Sequence, residues 1–292
     1  MEILGLRTFK AVVDEGGIKG ASAKLNTVQS NITSRIQKLE DELGSKLFTL
    51  VGRKLVTTPS GQLLYDYANQ ILQLEYQATS AISEITGSYD LRVGVPETFA
   101  AVHMPLVLKS LKQSHPEIHP KIYTDTSAKL VMAVLNNRVD CAMVGDPQAH
   151  KELVIVPVVD EELVIVTPLD GEYDSVLFVR EDGCGYRKCA LSWQQASGRS
   201  EDGLMVMSSS DGVLGCVAAG LGYTVIGRNM VTGSRYEKAL RSEPVNVGVG
   251  HVRISMVYRR GNPLESGINN LVQLFPYKRP LQTDRPSEPD QE

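Results

Sequence analysis

Cysteine is scarce in this chain of 292 residues, and its four cysteines, Cys141, Cys184, Cys189 and Cys216, form no CxxC pair. That spacing argues against a disulfide framework or a zinc site and for reduced thiols. The five histidines are scattered without metal-ligand spacing, and HExxH, GxSxG and P-loop motifs are all missing. Neither a metal, nor a cofactor, nor an enzyme is therefore expected. Long apolar runs are also lacking, so no membrane span is expected. Glu2, Arg7, Asp14 and Glu15 interrupt every early apolar run, so a signal peptide is not expected and a cytoplasmic location is. What remains is ordinary: 42% hydrophobic and 22% charged residues, enough for a packed core in more than one unit.

Charge is unevenly placed. The overall formal charge is −4, but residues 1–60 hold nine Lys/Arg against six acids. This is a net +3, which leaves −7 for the rest. A basic head on an acidic body is the split expected when only one end meets phosphate.

The head reads as three short helices and a hairpin. Leu4, Phe9, Ala11, Val12 and Val13 mark a first helix stopped by Gly16-Gly17. Ile18–Leu25 is a second, with Ala21 and Ala23 small enough for close packing. Thr27 is the expected cap of a third, from about Gln29 to Glu42, with Ile32, Ile36, Leu39 and Leu43 facing inward. Gln29, Ser30, Asn31, Thr33, Ser34 and Arg35 then lie on or near the outer side of its first turns. A helix of this kind fits the DNA major groove. Lys46–Gly61 reads as a short basic hairpin beside it.

Pro59-Ser60-Gly61 opens a long amphipathic helix reaching about Glu84, with a stripe at Leu64, Tyr67, Ala68, Ile71, Leu74, Glu75, Ala78, Ala81 and Ile82. Such a stripe is expected to pair with a second copy; packing on its own chain is the alternative. After Gly87-Ser88 an alternating pattern begins. Strands are expected at Leu91–Val95, His119–Thr124, Val139–Val144, Val154–Val159, Leu163–Val166, Ser175–Val179, Leu204–Met207, Tyr223–Ile226 and Ile254–Tyr258. Helices are expected at 100–114, 127–137, 211–220 and 263–274. Strands separated by helices imply parallel sheet and here two α/β lobes. The expected boundaries are 1–58, 59–87 and 88–278, followed by a disordered tail at 279–292.

The stretch LRTFKAVVDEGGIKGASAKLNTVQSNITSRIQKLEDELGSKLF, followed by GRKLVTTPSG, closely resembles the winged helix-turn-helix of LysR-type transcriptional regulators. LRVGVPETFAAVHMP and GCVAAGLGYTVI resemble that family's effector domain. The resemblance covers nearly the whole chain. It implies an α/β fold with an N-terminal winged helix-turn-helix, a long linker helix and a two-lobed periplasmic-binding-protein-like effector domain. It further implies a bacterial regulator bound to double-stranded operator DNA, dimeric through the linker helix and homotetrameric, with RNA polymerase as a partner if it activates. One departure is that Arg35 stands one position away from the family's arginine, which moves it about 100° around the helix.

On the residues themselves, Gln29 and Asn31 suit adenine, and Arg53 suits the minor groove or phosphate. Lys54 and Thr33 suit phosphate. The effector is expected at strand-to-helix turns, where sheets of this class bind ligands. Thr98 and Phe99 follow the first body strand, and Thr126 and Ser127 follow the second. Ser209 and Ser210 belong to the opposite lobe. Helix caps are the plainer reading of all of these; a small carboxylate is the favoured ligand class. EDGCGYRKCA resembles the reactive-cysteine region of peroxide-sensing relatives, with Cys184 one position early, so thiol-based redox sensing is the alternative function. A solute-binding protein would fit the body alone.

Overall fold

The computed structural model describes residues 1–52, 54–198, 203–246 and 250–275. Arg53 and the tail expected at 279–292 therefore lie outside the described residues. The chain divides into two compact units that meet between Ser83 and Glu84.

In the first unit, α1 (Ile3–Asp14), α2 (Ile18–Lys24) and α3 (Gln29–Leu43) are followed by a hairpin of β1 (Phe48–Val51) and β2 (Lys54–Thr57) and by the long α4 (Pro59–Thr86). The helical spacing of Leu6, Phe9, Val12, Ile32, Ile36 and Leu39 brings all six into one core with Ala21. Phe9 meets Phe48 of the hairpin with ring centroids 5.3 Å apart. Gly44, at φ +61°, ends α3 in the left-handed conformation that glycine adopts at little cost.

Glu40 locks the hairpin to α3. Its buried carboxylate accepts from Leu47 N at 2.8 Å, Phe48 N at 3.4 Å and Lys46 Nζ at 2.7 Å. Burial alone would raise this carboxyl, but the Lys46 contact and the two backbone hydrogen bonds together hold it below its usual range.

Three expectations for the head change. Leu43, expected to face inward, is exposed at the end of α3. Val28, not Thr27, is the N-cap of α3, and no side chain caps it. The Thr27 hydroxyl instead accepts from Asn31 Nδ2 at 3.1 Å. The α4 stripe also divides. Leu64, Ala68 and Ile71 pack against the core of their own head, while Leu63, Tyr67, Leu74, Ile82 and Ile85 are exposed. The linker helix is thus part of the first unit as far as Ser83.

The second unit continues with β3 (Tyr89–Val95), α5 (Glu97–Val102), α6 (Met104–Ser114), β4 (Ile118–Thr124), α7 (Ser127–Leu135), β5 (Cys141–Gly145) and β6 (Leu153–Pro168). It then runs through β7 (Leu177–Arg180), α8 (Gly185–Ala196), β8 (Leu204–Met207), α9 (Ser210–Ala218), β9 (Thr224–Gly227) and α10 (Arg228–Val231). It closes with β10 (Leu240–Pro244), β11 (His251–Arg259) and α11 (Glu265–Gln273).

β3 pairs in parallel with β4 and β5 in one lobe, and β7 pairs in parallel with β8 in the other. β6 joins them. Its first half pairs antiparallel with β11 and its second half with β9 and β10. The two strands expected at Val154–Val159 and Leu163–Val166 are therefore one. The polar run Asp160-Glu161-Glu162 between them stays in the ladder, opposite His251–Arg253. α8 and β10 were not expected. In α8 the buried residues Tyr186, Cys189, Ala190 and Trp193 follow a helical period.

Candidate functional site

Two places hold polar residues in arrangements that the fold itself does not need. The first is the start of α3. Because Ile32, Ile36 and Leu39 face the core, Gln29, Ser30, Asn31, Thr33 and Ser34 are exposed. Among the described residues, the side chains of Gln29, Ser30 and Lys54 have no partner. Asn31 is turned to Thr27, and the Thr33 hydroxyl donates back to the Gln29 carbonyl at 3.0 Å. Arg35 is half-buried beside Glu2, Leu4 and Lys38, turned toward α1 rather than standing on the open face. Val28, next to Gln29, is exposed. The open tip of the helix therefore offers one amide, one hydroxyl and one apolar contact. These are the group types that reach base edges and thymine methyls in a major groove.

The second place is the cleft between the lobes of the second unit. Its lining includes Glu97, Thr98, Phe99, Thr126 and Ser127 from the first lobe, and Arg180, Cys184 and Tyr186 from the second. Val252 and Ile254 of β11 form an apolar wall. Of the residues expected to bind an effector, Thr98, Phe99, Thr126 and Ser127 line this cleft. Ser210 is buried at its edge, and Ser209 stands outside it, capping α9 by accepting from Gly212 N at 3.3 Å. Ser127 Oγ accepts from Gly145 N at 3.2 Å.

The lobes are tied across this cleft. Arg180 Nη1 donates to Glu97 Oε2 at 2.5 Å, and Ser210 Oγ donates to the same oxygen at 2.7 Å. Ala128 N donates to the Gly183 carbonyl at 3.3 Å. Deeper in, the Tyr186 hydroxyl donates to the buried Glu161 carboxylate and hydrogen-bonds Thr98. His103 Nε2 lies 3.9 Å from the other oxygen of Glu161 and has no hydrogen-bond partner among the described residues. Burial and then the Glu161 charge push the Tyr186 phenol well above its ordinary range, so it remains a donor. Gly227 makes room for this network: a β-carbon there would lie 2.4 Å from Glu161 Oε1.

Arg180, Glu97, Glu161 and Tyr186 were not singled out from the sequence. The available signals were slight: an arginine closing the apolar run Leu177-Phe178-Val179, and an acid opening the helix after β3.

Cys184 holds the N-cap position of α8 at the cleft edge, without a side-chain capping bond. The nearby Arg187 is engaged by Asp182 at 2.9 Å and by the Arg180 carbonyl at 3.0 Å. Burial pushes the Cys189 thiol up to about 11, which keeps it protonated and inert. Among the described residues, no group of three His, Cys, Asp or Glu is placed to hold a metal ion. Among them also, no helix is long and apolar enough to cross a membrane.

Comparison with known proteins matches both units. The model of the bacterial regulatory helix-turn-helix protein, lysR family, matches residues 4–62, and the LysR substrate binding domain matches residues 86–276. The uncharacterized HTH-type transcriptional regulator YusT of Bacillus subtilis (strain 168) is 32% identical, over 94% of this chain and 95% of its own length. The HTH-type transcriptional regulator GltR of the same organism is 31% identical, over 97% of this chain and 100% of its own. In fold, a full-length OxyR variant from Pseudomonas aeruginosa superposes with a TM-score of 0.68 at 20% identity, covering 98% of this chain and 99% of that one. CbnR complexed with its target DNA superposes with a TM-score of 0.68 at 20% identity, covering 94% and 99%. Taken with the exposed polar tip of α3 and the two-lobed body, these matches establish that the chain belongs to the LysR family of DNA-binding transcriptional regulators, with an effector-binding domain behind its helix-turn-helix head.

Proposed function

We propose that the first turn of α3 reads the major groove of an operator, with Gln29 as the principal base-reading side chain. Ser30 and Asn31 assist it. Lys54, on the hairpin, holds phosphate, as do Thr33, Ser34 and, from the groove edge, Arg35. Arg53, next to Lys54, is assigned to the minor groove or phosphate on sequence grounds alone. The observation that carries this reading is that Gln29 and Ser30 are exposed and, among the described residues, unpartnered on a helix whose other face packs Ile32, Ile36 and Leu39 into the core.

A small polar effector in the cleft, contacting Thr98, Phe99, Thr126 and Ser127, sets the operator affinity of the assembly. The exposed Tyr67, Leu74 and Ile82 of α4 support a dimer. The exposed Leu204, Met205 and Val206 of β8 supply a second apolar surface, as a tetramer requires. The protein works in the cytoplasm, and it contacts RNA polymerase if it activates.

Selection from a random duplex library tests the DNA reading. Enrichment of a two-fold symmetric site is expected. Recovery of sequences no better than bulk DNA would overturn it. The redox alternative gains nothing here, since the nearby Arg187 is held by Asp182 and the Arg180 carbonyl and burial keeps the Cys189 thiol protonated.

A further inference from the structure

We propose that Arg180 and Ser210 form a carboxylate-binding subsite in the inter-lobe cleft, that the chain's own Glu97 occupies it, and that the effector is a small carboxylic acid that displaces Glu97. This rests on the effector reading above and gives it a chemical class.

The donors converge on one acid oxygen. Glu97 Oε2 takes Arg180 Nη1 at 2.5 Å and Ser210 Oγ at 2.7 Å, and Arg180 Nη1 also reaches Ser210 Oγ at 3.1 Å. The two sides differ in how they are held. Ser210 is fully buried at the first position of the nine-residue α9, and the Arg180 side chain is 12% exposed. Glu97 is 41% exposed and comes from the other lobe. The cationic half is thus built into the floor, and the anion is brought to it from outside.

Among the described residues, Arg180 has no other ion-pair partner. A covered guanidinium left alone is costly, so departure of Glu97 calls for another anion. Glu97 engages Arg180 through Nη1 alone. A free carboxylate, not tethered to a backbone, can take the planar fork with two parallel hydrogen bonds. The competitor therefore has a geometric advantage over the resident acid.

A second observation points to a ligand. The Thr126 hydroxyl lines the same cleft, is buried and, among the described residues, has no hydrogen-bond partner. Buried polar atoms are nearly always paired, and this one suits a second polar group on the ligand. Phe99, Val252 and Ile254 line the same space. The matching molecule is a short aliphatic acid with another hydrogen-bonding group. With Glu97 in place the pocket beside Arg180 holds about 30 Å³ of free space, room for little more than a water. An acid that pairs with Arg180 therefore enters as Glu97 leaves, and the cross-lobe contact breaks.

Chemical rescue tests the proposal in the full-length protein, using acetate and propionate as probes. Glu97→Ala, followed by Trp193 emission during heating, is expected to melt below wild type in sodium chloride. Replacing 100 mM chloride by acetate or propionate should raise its Tm by roughly 3 °C, by mass action on the emptied site. Wild type should respond much less, because Glu97 fills the site. Glu97→Ala/Arg180→Met should show no carboxylate-specific rise. Should Glu97→Ala not fold, Glu97→Gln keeps the shape without the charge, competes less for Arg180, and should show a smaller Arg180-dependent rise that still exceeds that of wild type. An equal acetate effect in wild type, single and double variants would overturn the proposal.

The two readings fail separately. Absence of rescue removes the carboxylate site and leaves the cleft open to a neutral effector. Arg180-dependent rescue, with no small acid altering operator affinity in wild type, supports the subsite and removes its regulatory use.

Discussion

In the head, α3 turns Gln29 and Ser30 outward with no partner among the described residues, whereas in the effector domain Glu97, Arg180, Ser210, Glu161 and Tyr186 are already bonded to one another. The contrast separates two kinds of binding surface. The head has satisfied its buried groups internally, through contacts such as Glu40 to Leu47, and leaves Gln29 and Ser30 exposed and without partners among the described residues. It needs only to meet DNA. The cleft has paired its charged groups with one another, so an acid there must replace contacts rather than only add them. On the proposed reading, a preformed surface suits sequence reading, and a cleft closed by its own ion pair suits a switch, because an exchange there changes what ties the lobes together.

Substitutions at four positions test this contrast, in descending order of expected effect. Leu74→Asp places a charge in the exposed apolar face of α4. If that face meets a second chain, an unpaired buried charge costs several kcal/mol of association, and light scattering should show a smaller particle. An unchanged mass would mean this face is not an interface. Ile71 is the weaker probe, because it packs against its own head.

Glu40→Ala leaves the Leu47 and Phe48 amides without their acceptor. About 2–4 kcal/mol of head stability should be lost, and affinity for all DNA should fall together. The same carboxylate predicts a pH effect. Its folded pKa lies below the unfolded value, so its stabilisation is present above about pH 4.3. It is lost as pH falls through the folded value. Acid unfolding of Glu40→Gln, compared with wild type, should lack that increment.

Tyr186→Phe removes the donor to the buried Glu161 carboxylate. A loss of roughly 2 kcal/mol in the effector domain is expected, read by Trp193 emission. Since the phenol titrates well above its usual range, the difference should be flat from neutral to mildly alkaline pH. Cys184→Ser should do least. Peroxide is expected to leave operator affinity unchanged in wild type and variant alike, and a response confined to wild type would restore the redox reading.

Much of the head was legible because its signals are local. Apolar residues three and four apart bury one face of α3, and the residues between them define the other. The cleft was only half legible. Strand-to-helix turns located Thr98, Phe99, Thr126 and Ser127, since each follows its strand directly. The Arg180–Glu97 and Ser210–Glu97 contacts join residues 83 and 113 positions apart, which no local pattern encodes. Similarly, Asp160-Glu161-Glu162 resembles a turn in sequence but continues β6, because Tyr186 satisfies the inward carboxylate. Thr27 looked like the cap of α3, yet its hydroxyl is taken by Asn31.

The most direct test of the central claim is quantitative binding of wild type, Gln29→Ala and Lys54→Ala to a library of operator variants at two salt concentrations. Gln29→Ala should lose preference at one base pair of each half-site, by about 1–3 kcal/mol. Lys54→Ala should weaken every sequence alike and reduce the salt slope by about one. If the two variants lose affinity in the same way across the library, α3 is not the reading helix and the account of the head is wrong.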